Sequence, residues 1–179
     1  VFLAPENRLD PTAEQDRYAR HNNDINDPGY QSFVSPIVEH IRANFTPAHS
    51  GLDFGCGTGP VISFMLERDG FSVRKYDPLF RPDRAVFSSM YDFIVCCEVI
   101  EHFHEPAKEF QLLRSLLVDD AHVICMTHLL SDETDFERWY YKDDPTHVFF
   151  YRRETIDFIQ RQFRFKCSRI RDRLVLFIT

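Results

Sequence analysis

The amino-acid sequence predicts an α/β fold, in which a doubly wound, mostly parallel sheet carries helices on both faces. Three observations support this prediction. Short apolar runs typical of buried strands alternate with stretches whose apolar residues recur at helical spacing. A glycine cluster, Gly55 to Gly59, lies between the first of these runs and the next helical stretch. The last two apolar runs lie close enough to pair as a hairpin, which adds an antiparallel strand.

Each element is predicted from its own signals. Apolar residues from Phe33 to Ile41 recur at helical spacing after an Asp27-Pro28-Gly29 turn, which predicts the first helix. Pro60 is tolerated as the first residue of a second helix, which ends before Gly70. The same reasoning predicts helices over 30–44, 60–69, 106–117 and 153–162, and strands over 52–54, 71–76, 93–97, 122–126, 163–169 and 173–179.

The connection that follows the second strand is unusually short. Residues 78–91 lie between that strand and the next, and a single parallel crossover already needs about a dozen residues or more. A helix, a strand and a second helix do not fit in this space. We therefore expect 85–87 to form at most a short edge strand, with the flanking helices shortened or lost.

Length and charge restrict the organisation and the partners. A chain of 179 residues is within the usual size of one domain, so we expect 1–179 to be a single domain, with a helical cap segment (1–48) and a core (50–179). The formal charge is −7, a sign that repels phosphate backbones, so no nucleic-acid partner is expected. A basic run at 161–173 forms either a patch or the solvent face of the last elements.

Cysteines and hydropathy bear on the compartment. The five cysteines show no zinc-type spacing and follow no signal peptide, so we expect reduced thiols in a cytoplasmic protein. No apolar run approaches the roughly 20 residues that cross a bilayer, so no membrane partner is expected. The 18 phenylalanines indicate an aromatic core or an aromatic-lined pocket.

The glycine cluster carries the functional prediction. Asp53-Phe54-Gly55-Cys56-Gly57-Thr58-Gly59 lies at a strand-to-helix turn, where glycines let a ligand approach the backbone. Asp77 stands at the end of the next strand, where an acid can accept hydrogen bonds from the ribose hydroxyls of a nucleoside. Pro60 occupies the position of the third glycine of the dinucleotide fingerprint, which disfavours a nicotinamide cofactor.

These residues resemble motif I of class I, Rossmann-like S-adenosylmethionine-dependent methyltransferases. Tyr91 to Phe103, with its Glu98-Val99-Ile100-Glu101-His102 segment, is similar to the fourth-strand motif of the small-molecule, ubiquinone-biosynthesis type. The resemblance implies a 3-2-1-4-5-7-6 sheet whose third-strand region is abbreviated here, with S-adenosyl-L-methionine as cofactor and a small-molecule acceptor. The cofactor-binding residues that the motifs and the resemblance imply are Tyr18, His21, Asp53, Gly55, Cys56, Gly57, Thr58, Gly59, Asp77, Pro78, Glu98 and Val99.

The acceptor side is predicted from chemistry. Methyl transfer is an in-line displacement that depends largely on alignment, and a general base is needed only if the acceptor must lose a proton. His147 and His102 are the candidate catalytic bases, because imidazole titrates near neutrality. The alternative is that both histidines are structural. Tyr18 and His21 have a similar alternative, in which Tyr18 is a packed aromatic and His21 a surface histidine. Ligand spacing indicates no metal.

Three interpretations of function remain at this point. The chain either methylates a small molecule at O, N or C, or binds the cofactor without transfer, or, least favoured because of Pro60, is a nicotinamide-dependent oxidoreductase. The identity of the acceptor and the oligomeric state do not follow from the sequence.

Overall fold

The computed structural model describes residues 1–20 and 23–179. Five α-helices and six strands are assigned within these ranges, together with short 3₁₀ turns. The helices are α1 (Pro11–Ala19), α2 (Pro28–Asn44), α3 (Val61–Arg68), α4 (Pro106–Ser115) and α5 (Arg153–Gln162). The strands are β1 (Ser50–Phe54), β2 (Ser72–Tyr76), β3 (Tyr91–Cys97), β4 (Leu117–Met126), β5 (Cys167–Arg171) and β6 (Leu174–Ile178).

The strands form one sheet in the order β2-β1-β3-β4-β6-β5. The first four are parallel, with Leu52 of β1 opposite Ile94 of β3, and Ile94 opposite Val123 of β4. β6 runs antiparallel to both β4 and β5. The predicted mostly parallel sheet with an antiparallel terminal hairpin is confirmed.

At 85–87, where at most a short edge strand was expected, the structure has no strand. These residues belong to a 3₁₀ helix, Arg84–Ser88, so the third strand of the expected order has no counterpart among the described residues. Asp83 begins the 3₁₀ helix by accepting a hydrogen bond from the backbone of Ala85, and the Tyr91 hydroxyl donates to the carbonyl of Val86 at 2.7 Å. These local bonds satisfy the backbone without a strand partner.

Other predicted boundaries shift by a few residues. Pro60 precedes α3 as its N-cap residue and does not lie within the helix. β4 begins at Leu117 instead of His122, and β5 begins at Cys167.

Helices cover both faces of the sheet, and this explains why the sequence of β3 is apolar throughout. Phe93 and Val95 of this strand pack in a cluster with the apolar faces of α2 and α3. Ile94 and Cys96 point to the opposite face and pack with α4 and α5. A strand buried on both sides needs no polar alternation.

The same architecture positions the site. Strands β1, β2 and β3 are parallel, so their carboxyl ends lie together at one edge of the sheet, the usual ligand side of such folds. Among the described residues, no helix has the length and apolar character needed to cross a membrane.

Candidate functional site

A cavity of about 1060 Å³ opens at the carboxyl ends of β1, β2 and β3. Its floor is the glycine loop after β1, and its walls come from the segments after β2 and β3. Residues of α1, of the start of α2 and of the segment 140–147 line the other side. Ligand pockets in proteins usually measure about 300 to 1,000 Å³, so this cavity has room for a nucleoside-sized ligand together with a second small molecule.

The glycine loop is fixed to the neighbouring strand. The backbone N–H groups of Gly55 and Cys56 both donate to the carbonyl of Tyr76, at 2.8 and 3.1 Å. Gly55 and Gly57 have φ values of 78° and 60°, a region that favours glycine. A Cβ on Gly55 would also lie 2.5 Å from a methyl group of Val99. The backbone conformation therefore requires glycine at both positions. At Gly55 the Val99 side chain also leaves no room for a Cβ.

The Asp77 side chain joins the glycine loop to the turn that follows β2. One of its carboxylate oxygens, Oδ2, accepts a hydrogen bond from the Gly57 N–H at 3.0 Å. The other, Oδ1, accepts from the N–H groups of Leu79 and Phe80 at 2.9 and 3.0 Å. The side chain is nearly buried, at 8% exposure. A carboxylate oxygen accepts about two hydrogen bonds, so Oδ2 has capacity for one more.

Asp53 supports the loop from below. Its side chain is buried and accepts a hydrogen bond from the Ser63 hydroxyl of α3 at 2.7 Å. Burial raises the pKa of this carboxyl to about 6, although the bond from Ser63 favours the charged form. This hydrogen bond joins β1 to α3, the two elements that flank the glycine loop.

The wall beyond Asp77 comes from the region where the third strand is missing. The 3₁₀ helix places Arg84 and Phe87 on the cavity, and the turn before it contributes Pro78 and Phe80. The ring of Phe87 lies 4.7 Å from that of Tyr76, measured between centroids. Apart from Pro78, the residues of this wall were not predicted from the sequence, since their position depends on the 3₁₀ helix of this connection.

Two acidic residues follow β3. Glu98 has a φ of 50° and accepts a hydrogen bond from the Arg173 guanidinium at 2.7 Å. Glu101 is fully buried and accepts a hydrogen bond from the Tyr141 hydroxyl. Burial raises the pKa of both carboxyls, and repulsion from Glu101 adds to the shift of Glu98. Glu101 and Arg173 were not predicted as site residues, although Glu101 is part of the fourth-strand motif.

The two candidate catalytic histidines lie side by side. Their ring centroids are 4.8 Å apart. Nδ1 of His102 lies 2.9 Å from the carbonyl of Thr146, and Nδ1 of His147 lies 2.6 Å from the carbonyl of Tyr141. Because a carbonyl only accepts, Nδ1 of each ring carries a proton. Burial, followed by the neighbouring His102, lowers the pKa of His147 to about 4.

The N-terminal segment contacts the histidine side of the cavity. The ring of Tyr18 stands edge-on to that of His102 at 5.3 Å, and its hydroxyl donates to Glu14. Arg17 forms an ion pair with Asp144 at 2.7 Å, which joins α1 to the segment 140–147. His21, also predicted to contact the cofactor, lies outside the described residues.

The structure brings the predicted residues that it describes to one cavity. Trp139 packs in a small apolar cluster with Leu130, Tyr141 and Phe150, so it belongs to the packing of its loop. The described residues contain one group of three side chains arranged as a metal site would need, Glu101, His102 and His147. The predicted residues that line the cavity are Tyr18, Asp53, Gly55, Cys56, Gly57, Thr58, Gly59, Asp77, Pro78, Glu98, Val99, His102 and His147.

Comparison with known proteins agrees with this fold, which is that of a Rossmann-like α/β domain. The sequence profile of the family described as "Methyltransferase domain" matches residues 18–167. This match covers most of the chain, and the chain therefore belongs to that methyltransferase domain family. No curated protein matches the sequence significantly.

Solved structures share the fold at low sequence identity. An O-methyltransferase family protein from Burkholderia thailandensis aligns with a TM-score of 0.62 and 13% identity, over 92% of this chain and 61% of that one. Magnesium protoporphyrin IX methyltransferase from Synechocystis PCC 6803, solved with bound SAH (S-adenosylhomocysteine), aligns with a TM-score of 0.64 and 16% identity, over 93% and 94%. A SAM-dependent methyltransferase from Archaeoglobus fulgidus gives 0.59 and 14%, over 88% and 75%. The chain thus spans less than two thirds of the first of these proteins.

Proposed function

We propose that the chain transfers a methyl group from S-adenosyl-L-methionine to a small-molecule acceptor. The observation that carries this proposal is the bond between Asp77 and the N–H of Gly57, which places an acid and a left-handed glycine turn side by side at the ligand edge of the sheet. Family membership and the methyltransferases among the structural neighbours support it.

The size and the hydrogen-bonding groups of the cavity support the cofactor assignment. Residues Gly55 to Gly59 present backbone without side chains at three of five positions, which suits close approach of a ligand. Asp77, whose Oδ2 has capacity for one more hydrogen bond, lines a cavity with room for a nucleoside. The wall at Phe87 and Pro78 provides an apolar surface near Asp77 for a flat heterocycle.

We assign the binding residues along the cavity. Asp77 holds the ribose, and the loop of Gly55 to Gly59, with Cys56 and Thr58, lies along the ribose and the amino-acid part. Asp53 supports that loop and contributes negative charge toward the ammonium group. Glu98, Val99 and Tyr18 border the end from which the methyl group leaves, with His21 as a further proposed contact.

The bound cofactor supplies an electrophilic methyl group on a sulfonium. The chain contributes alignment, because the cavity holds donor and acceptor together. His102 and His147 line the cavity on the acceptor side, and an imidazole nitrogen accepts either a proton or a cation. His147 stays neutral at physiological pH, because its pKa is lowered to about 4.

Binding and transfer need separate tests. Calorimetric titration with SAH tests the cofactor site, and titration with NAD as the control ligand tests the oxidoreductase alternative. Incubation with methyl-labelled S-adenosylmethionine and fractionated small-molecule extracts then tests transfer, read as SAH formed together with label in a new compound. Failure to bind SAH would refute the proposal, whereas SAH binding without transfer to any fraction would favour a binding protein.

An Asp83→Ala variant provides the matched control for these measurements. Asp83 is an exposed acid of the same connection and, like Asp77, accepts a backbone hydrogen bond. It does not line the cavity. Its SAH affinity is expected to equal that of the unchanged protein.

A further inference from the structure

We propose that Glu101, His102 and His147 bind a divalent metal cation at the acceptor end of the cavity. Their candidate ligand atoms, one from each side chain, all lie within 4.8 Å of one another. The group joins two consecutive residues after β3 to a residue far along the chain, so the fold assembles it. Two imidazoles and one carboxylate are a common ligand set for divalent transition metals.

The histidines are held in the tautomer that a metal ligand requires. Each Nδ1–H donates to a backbone carbonyl, of Thr146 for His102 and of Tyr141 for His147. Such bonds fix the ring orientation of metal-bound histidines and leave Nε2 as the ligand atom. Both rings also line the cavity, so an ion that enters with solvent reaches them.

Glu101 gives an independent indication of a ligand. Its side chain is fully buried, and Oε1 accepts a hydrogen bond from the Tyr141 hydroxyl, whereas Oε2 is buried and has no hydrogen-bond partner among the described residues. A buried carboxylate oxygen without a partner is costly, and such groups are uncommon in folded proteins. A cation bound by Oε2 would provide the missing interaction.

The charges of the surrounding groups are consistent with an added cation. Glu98 and Glu101 are two acids in partly or fully buried positions, and the Arg173 guanidinium donates a hydrogen bond to Glu98. A divalent ion near Glu101 would offset the negative charge of the second acid. Binding requires the three side chains to close slightly, because ligands at about 2.0 to 2.2 Å from an ion lie at most about 4.4 Å apart.

The ligand types indicate which cation binds. Imidazole nitrogen favours Mn²⁺, Fe²⁺, Co²⁺ or Zn²⁺ over Ca²⁺ and Mg²⁺, which prefer oxygen ligands. Three protein ligands leave open coordination positions toward the cavity, as in catalytic metal sites. The role of the ion, unlike the site itself, rests on the proposed methyl transfer.

In that role the ion binds a hydroxyl oxygen of the acceptor and lowers its pKa. The hydroxyl proton leaves to solvent, and an oxygen electron pair forms the new O–CH₃ bond. The S–CH₃ bond breaks with its electrons going to sulfur, so the sulfonium becomes the neutral thioether of SAH. The metal would then replace a histidine general base, because the same Nε2 lone pairs are used.

Manganese binding to chelator-treated protein tests the site. Electron paramagnetic resonance follows the loss of the free Mn²⁺ signal on titration, and pulsed measurements detect ¹⁴N coupling from coordinated histidine. We expect about one ion per chain with ¹⁴N coupling, and displacement by Zn²⁺. Glu101→Gln is the main variant, since it keeps the side-chain shape and an acceptor for Tyr141. Glu101→Gln, His102→Ala and His147→Ala should each weaken Mn²⁺ binding by about tenfold or more.

His49→Ala is the matched control, because His49 lies before β1 and away from the cavity, and it should bind Mn²⁺ as the unchanged protein does. Circular dichroism and SAH titration of every variant show that it is folded. Absence of binding at about 1 mM Mn²⁺, absence of ¹⁴N coupling, or equal binding by the Glu101→Gln variant would overturn the metal site. In those cases intact SAH binding would leave the proposed function standing, whereas loss of SAH binding by the unchanged protein would refute that function separately.

Discussion

Replacement of Asp77 tests whether this acid both shapes the glycine loop and binds the ligand. The structure shows three backbone N–H groups on its carboxylate, from Gly57, Leu79 and Phe80, so only one further hydrogen bond is available on Oδ2. One hydrogen bond to a charged group contributes about 1.5 to 3 kcal/mol. We therefore expect Asp77→Ala to weaken SAH binding by roughly 10- to 100-fold.

A second variant separates the two roles of Asp77. Asn keeps a carbonyl oxygen for the N–H groups of Leu79 and Phe80, but its amide nitrogen cannot accept from Gly57. Asp77→Asn should therefore lose SAH affinity while keeping most of the stability. Asp77→Ala leaves both turn N–H groups without this acceptor, at about 1 kcal/mol each, which lowers Tm by roughly 4 to 8 °C for a chain of this size.

Calorimetry with SAH and thermal unfolding measured on the same samples provide the test, with Asp83→Ala as the control. If folded Asp77→Ala bound SAH within about twofold of the unchanged protein, Asp77 would have no part in ligand binding. If Asp77→Asn were as unstable as Asp77→Ala, the turn bonds to Oδ1 would not be the source of the stability.

Three further predictions concern single positions. Gly57→Ala places a Cβ on a residue with φ of 60°, so it should lower the free energy of unfolding by about 1 to 2 kcal/mol in urea titrations; no change would contradict the strain argument. Asp53 has its pKa raised to about 6 from 3.8, so it contributes stability that is present below pH 4 and is lost as pH rises through 6. Asp53→Asn keeps an acceptor for Ser63, and its stability relative to the unchanged protein should improve by roughly 1 to 1.5 kcal/mol between pH 5 and 7.5; a pH-independent difference would refute the shift. Arg173→Met leaves Glu98 unpaired, and we expect a loss of about 1 to 2 kcal/mol, discounted because the pair is about a quarter exposed. Combining it with Glu98→Gln should recover most of that loss, and strict additivity of the two changes would show that they do not interact.

The strands could be predicted from sequence because their burial follows directly from composition. Residues 93–97 are apolar without alternation, and the structure buries both faces of that strand beneath helices. The 3₁₀ helix at 84–88 has a different origin. Val86 and Phe87 are apolar as a strand requires, but Asp83 accepts a capping hydrogen bond and the Tyr91 hydroxyl donates one, and these bonds hold the segment in a 3₁₀ turn. The partners that decide the conformation are thus side chains, and their hydrogen bonds are not visible as periodicity.

The cofactor side of the site could also be predicted from the sequence. The glycine loop and Asp77 follow consecutive strands, and parallel pairing of β1 and β2 is enough to bring them together. The division into a cap (1–48) and a core (50–179) stays a prediction. The structure adds that α2 packs on the sheet together with α3, so part of the proposed cap covers a face of the core.

The acceptor side could not be assigned in the same way, because its chemistry depends on backbone groups that sequence spacing does not reveal. His102 and His147 were each singled out, but nothing in the sequence shows that their rings lie 4.8 Å apart. The carbonyls of Thr146 and Tyr141 fix which nitrogen of each ring is free, and tertiary packing around Tyr141 buries Glu101 beside them. A histidine predicted as a general base and a histidine that binds a metal use the same lone pair. The buried, unpartnered oxygen of Glu101 is the observation that favours the metal, and it exists only once the chain has folded.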